Sequence, residues 1–114
     1  LRDGLIPLNK LMIETDAPYM GFDGCRSAFY EEEAELLASL NGKKRKRLLK
    51  GIYPNVPSSL PLVLRAAADA VNEGREERGE DILSLDDLAR MTTQNAIEFF
   101  GLPETILNSA KSEE

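Results

Sequence analysis

The chain has 114 residues, with 14 Lys and Arg against 20 Asp and Glu, for a formal charge of −6. It has no histidine and no tryptophan, and Cys25 is its single cysteine, which excludes an imidazole relay, a His-bearing zinc site, an internal disulfide and a CxxC metal clip. Acid–base work near neutral pH would therefore fall to carboxylates or lysines.

The length allows one small domain. At 42% hydrophobic but only 6% aromatic, its core would be modest and poor in large rings. No apolar run approaches the ~18 residues that span a bilayer, and nothing at the start reads as a secretory signal. A single cysteine is compatible with a reducing compartment but does not prove one. The expected location is intracellular, cytoplasmic or nuclear. Charge is unevenly spread. Residues 43–50 hold six of the 14 basic residues and no acid, which leaves 8 basic against 20 acidic elsewhere. An acidic surface repels nucleic acid, whereas a local basic stretch can still meet phosphate.

In chain order, Gly4 and Pro7 mark a turn. Leu11-Met12-Ile13 follows as a short apolar run, closed by Glu14-Thr15-Asp16-Ala17-Pro18. A run without polar alternation fits a strand buried on both faces, although its shortness leaves helix possible. Its polar residues would then lie at the carboxyl end of that strand, the edge where parallel α/β folds bind ligands. After a glycine-bearing loop at 20–24, a helix is expected from about Phe29 to Leu40, ended by Gly42. The basic stretch follows, and Pro54 and Pro57 forbid regular helix beyond it.

A clearer helix is expected over Leu60–Glu73. Ser58 or Ser59 would cap it, Gly74 would close it, and Leu60, Val63, Leu64, Ala67, Ala68 and Val71 would form its apolar face. Residues 75–81 read as a charged loop. A last helix starts at Ser84, with Asp87 three positions on as an acidic capping-box partner. It would bury Leu85, Leu88, Ala89, Thr92, Ala96, Phe99 and Phe100 and stop at Gly101 and Pro103. Residues 108–114 read as a disordered tail. One strand and three helices leave the strand without a partner, so this is either a small helical domain or part of something larger.

Ile6-Pro7-Leu8 followed by Leu11-Met12-Ile13-Glu14-Thr15-Asp16-Ala17-Pro18-Tyr19 closely resembles the last barrel strand of the TatD family of metal-dependent deoxyribonucleases. Two further matches follow in order. Asn55-Val56-Pro57-Ser58-Ser59-Leu60-Pro61 resembles the family's Asn-Glu-Pro segment. Ser84-Leu85-Asp86-Asp87-Leu88-Ala89, through Thr92-Thr93-Gln94-Asn95-Ala96 to Phe99-Phe100-Gly101-Leu102, is similar to its closing helices. The resemblance implies an α/β fold, the C-terminal part of a (β/α)8 TIM barrel of the metal-dependent hydrolase type. Residues 1–107 would be that portion, with an insertion-bearing loop at about 21–53, and the N-terminal part of the barrel would be required for activity.

It further implies a two-metal phosphodiesterase site, with Mg or Zn as the divalent ions and DNA as substrate. The family's histidines belong to earlier strands, and only its last-strand aspartate falls here. Asp16 matches that residue and would contact a metal and the attacking water, a role open to a carboxylate ionised at neutral pH. The bland alternative is a turn residue bonding its own backbone. Glu14 would be a supporting or structural residue. Tyr19 and Arg26 could line the substrate groove, Arg26 by pairing with phosphate, with ordinary loop packing the other reading. Asn55 matches the family's Asn, read as capping or loop bracing. Val56 stands where the family usually has Glu. Lys43, Lys44, Arg45, Lys46 and Arg47 would contact phosphate, or would simply be a solvated loop or localisation signal. Two other readings stay open: an ester or amide hydrolase of the same barrel type, and a non-catalytic helical binding fragment.

Overall fold

The computed structural model describes residues 1–26, 34–103 and 105, so the expected start of a helix at Phe29 and the expected tail at 108–114 lie outside the described residues. Four helices are assigned among the described residues: α1 (Ala34–Ser39), α2 (Gly42–Lys50), α3 (Leu60–Glu77) and α4 (Leu85–Phe100). Single 3-10 turns occur at Leu8–Lys10 and Pro57–Ser59. The chain divides into two compact units, Leu1–Ile13 with Ala66–Glu114, and Glu14–Arg65.

The expected barrel strand is not formed, and the (β/α)8 reading is corrected to a helical fold, because no strand occurs among the described residues. A strand exists only by sharing its N–H and C=O groups with a neighbour, and none is present for Leu11-Met12-Ile13. Nor is the run sealed on both faces, since Met12 is exposed. The run is instead tied to a helix. Asn95 of α4 donates from Nδ2 to the carbonyls of Leu8 and Leu11, each at 2.7 Å.

In the unit that contains α4, the buried residues are Ala67, Ala68, Val71 and Gly74 on α3 and Leu88, Thr92 and Ile97 on α4. The α3 stripe follows the expected helical spacing, but the helix does not end at Gly74. There a Cβ would lie 1.7 Å from the Arg2 carbonyl oxygen, so glycine serves close backbone approach within the helix. The chain turns at Gly79 instead, whose φ is +70. Asn72 then clamps the following loop, donating to the Leu83 carbonyl and accepting from the Leu83 N–H, both at 2.8 Å. Arg75 in the last turn of α3 and Arg78 just beyond it pair with Glu80.

α4 begins as its sequence predicts. The Ser84 hydroxyl accepts from the Asp87 N–H at 3.0 Å. Thr92 does not break the helix, because its hydroxyl donates back to the Leu88 and Ala89 carbonyls. At the far end Gly101 is left-handed, and the Leu102 N–H reaches the Ile97 carbonyl at 2.9 Å, which closes a Schellman turn. The expected apolar face is corrected at both ends, since Leu85 is exposed at the start of α4. Phe99 and Phe100 are 71% and 66% exposed, and Ile97 is buried in their place.

In the other unit, Cys25, Arg26, Leu37, Asn55 and Ser59 are buried. Two of these five are an arginine and an asparagine, so side chain-to-backbone bonds carry much of its organisation. The basic stretch is helix and not loop. Asn41 caps α2 by accepting from the Lys44 N–H at 2.9 Å, so Gly42 opens a helix where it was expected to close one. No helix among the described residues is long and apolar enough to cross a membrane.

Candidate functional site

The candidate site is the turn that carries Asp16. The Tyr19 N–H donates to the Asp16 carbonyl at 2.9 Å, and the Ala17–Pro18 bond between them is cis. Asp16 has φ of +54, a left-handed conformation that Asp and Asn tolerate better than most residues. Thr15 supports the turn, its hydroxyl accepting from the Ala17 N–H at 3.3 Å. The Asp16 carboxylate is thus not the group that bonds the turn backbone. It is exposed and makes no hydrogen bond or ion pair among the described residues.

Asn55 holds both flanks of this turn. It is 2% exposed. Its Nδ2 donates to the Thr15 carbonyl at 2.6 Å and to the Tyr19 carbonyl at 3.0 Å. Its backbone N–H donates to the Pro18 carbonyl at 2.8 Å. Its Oδ1 accepts from the Val56 N–H at 2.9 Å and from the fully buried Ser59 hydroxyl at 3.0 Å. The side-chain amide and the backbone N–H of Asn55 both donate to the turn while Oδ1 ties it to Val56 and Ser59, which is the loop-bracing arrangement. Isosteric Asp would present an oxygen to two carbonyls, and Ala would leave them unpaired.

The other expected groove residues are placed differently. Tyr19 is exposed, as is Glu14. The period-two relation between Glu14 and Asp16 needs continuous extended backbone, which ends at the left-handed Asp16. Arg26 is 3% exposed, and its guanidinium donates to the Tyr53 carbonyl at 2.9 Å and to the Leu48 and Gly51 carbonyls. It therefore faces the carbonyl end of α2 and not an open groove, so the phosphate-pairing role gives way to a C-terminal cap. The same segment passes close by again at Gly21, where a Cβ would lie 1.6 Å from the Ile52 carbonyl oxygen. Lys43, Lys44, Arg45, Lys46 and Arg47 are all exposed along α2.

Two features escaped the sequence reading. The Asn41 cap had a signal, since Asn within two residues of a run of good helix formers marks a start. The Arg26 cap had none, because its acceptors are backbone groups more than 20 positions away.

A divalent metal needs several donors, and no group of three or more Asp, Glu or Cys that could hold one occurs among the described residues. With no histidine in the sequence, Asp16 offers a single carboxylate, and these residues do not make a metal site by themselves. Comparison with protein-family models, with curated proteins and with solved structures finds no match.

Proposed function

We propose that this chain is one part of a metal-dependent hydrolase that cleaves phosphodiester bonds in DNA, to which it contributes the carboxylate of Asp16. The observation that carries the proposal is the braced turn. Asn55 fixes the backbone on both sides of Asp16 while the carboxylate stays exposed and without a partner among the described residues. A backbone fixed in this way leaves only the side-chain torsions of Asp16 to be ordered when it takes up a ligand. The three ordered segments that resemble TatD nucleases include both Asp16 and Asn55, and they supply the reaction class. The other metal donors then belong to residues outside this chain, which is inactive by itself. A cytoplasmic or nuclear location follows from the substrate.

The test is hydrolysis of plasmid DNA by the longer protein and by the 114-residue chain, each with Mg²⁺ or Zn²⁺ and again with a chelator. Metal-dependent cleavage by the longer protein and none by the 114-residue chain is expected. Cleavage that persists in the chelator would overturn the proposal. Hydrolysis of a carboxylic ester, with DNA left intact, would also overturn it in favour of an ester hydrolase.

A further inference from the structure

We infer that α2 is a docking helix for the groove of duplex DNA, engaging phosphates on both walls at once. The inference shares with the proposed function only its polyanionic substrate, and it is tested without metal so that either can fail by itself.

The argument starts from the arrangement of charge. Five consecutive basic residues, Lys43 to Arg47, lie in α2, and all are exposed. Successive helical residues are turned by about 100°, so five in a row encircle the axis and do not form a stripe. Against a flat anionic surface only about half of such a ring can make contact. In a major groove about 12 Å wide, which admits a helix, phosphates flank it on either side and the whole ring is used. A helix that lies on lipid would also need an apolar face. Between Gly42 and Leu48, the stretch whose side chains are described, Leu48 is the one large apolar residue, and it is half-buried.

Stability gives no reason for the ring. Lys43 with Arg47, Lys43 with Lys46, and Lys44 with Arg47 are like charges at helical neighbour spacing, each pair unfavourable by a few tenths of a kcal/mol. Isolated helices of this length are marginal in water. α2 is nevertheless fixed at both ends, by the Asn41 cap and by Arg26 on the Leu48 and Gly51 carbonyls. A repulsive helix held in place by polar clamps is complementary to a polyanion. The rest of the sequence, with 8 basic residues against 20 acidic, is repelled by one, which confines the contact to α2.

The experiment is fluorescence anisotropy of a labelled duplex of about 20 bp with the 114-residue chain in EDTA, across a salt series. Binding is expected with a log K against log salt slope of about −4.5, since each of five phosphate contacts contributes about −0.9. Each of the five single changes Lys43→Gln, Lys44→Gln, Arg45→Gln, Lys46→Gln and Arg47→Gln should bring the slope about one unit closer to zero. Gln keeps helix propensity, and far-UV circular dichroism checks that each variant folds. An effect confined to Lys43, Lys46 and Arg47, which share one side, would overturn groove docking. Equal or tighter binding to phosphatidylserine vesicles, or no salt-dependent binding to duplex, would overturn it as well.

Discussion

The two units of this chain are built by different means. In Leu1–Ile13 with Ala66–Glu114, two amphipathic helices bury Ala67, Ala68, Val71, Leu88 and Ile97, with Asn72 and Asn95 tying loops to them. In Glu14–Arg65, the turns at 15–19 and 51–59 are held by Asn55 and Arg26 reaching backbone carbonyls. One kind of region is specified by a repeating apolar pattern. The other depends on single polar side chains, each of which satisfies several backbone groups. Loss of area should dominate damage to the first, and unsatisfied hydrogen bonds should dominate damage to the second.

The largest expected effect is in the helical unit. Leu88 is fully buried, so Leu88→Ala should destabilise it by about 3 kcal/mol, through lost transfer energy and a residual cavity. Urea unfolding monitored by circular dichroism measures this. A change within error would mean that α4 is not packed as described.

Asn55→Ala should cost somewhat less, about 2 kcal/mol, because the Thr15 and Tyr19 carbonyls and the Ser59 hydroxyl lose a partner near water that can partly replace it. Its signature should be local. Amide hydrogen exchange at Tyr19, whose N–H closes the Asp16 turn, should accelerate while α4 amides stay protected. Unchanged exchange at Tyr19 would break the contrast between the two regions.

The smallest effect concerns the exposed charges after α3. The Arg78 hydrogen bond, with a weaker Coulombic contribution from Arg78 and Arg75, holds the Glu80 carboxyl below its ordinary range. A carboxyl whose folded pKa is lowered stabilises the fold above its unfolded pKa and loses that contribution as pH falls through the folded value. The stability difference between the wild-type chain and Glu80→Gln should therefore be present at neutral pH and vanish in acid. Solvent screening keeps it small, so it is best read as a difference between two urea midpoints.

This contrast also explains what the sequence made legible. The α3 and α4 faces, the Ser84 cap and the Gly101 stop follow from periodicity and end signals over a few residues. Gly74 misled because a glycine inside a helix and one at its end look alike until Arg2 is placed beside it. Phe99 and Phe100 misled because an apolar residue near a helix end need not be covered. The apolar run at 11–13 misled because a strand is a relation to a neighbour. At the site, Asp16 and Asn55 stand out by resemblance, whereas the bonds that Asn55 makes to Thr15 and Tyr19 span more than 30 positions and carry no local signal. For Arg26 both a groove role and loop packing stay open in sequence, since nothing there distinguishes an arginine aimed at solvent from one capping a helix whose end lies more than 20 residues on.

The central claim is that the braced turn exists to present the Asp16 carboxylate. Asp16→Asn in the longer protein tests it most directly, because Asn also tolerates the left-handed backbone and matches Asp in shape while removing the charge. Metal-dependent cleavage of plasmid DNA should fall by about 100-fold or more, as expected for loss of a metal-ligating or proton-accepting group, with Tyr19 amide exchange unchanged. Cleavage at the wild-type rate, with the same exchange at Tyr19, would contradict the account.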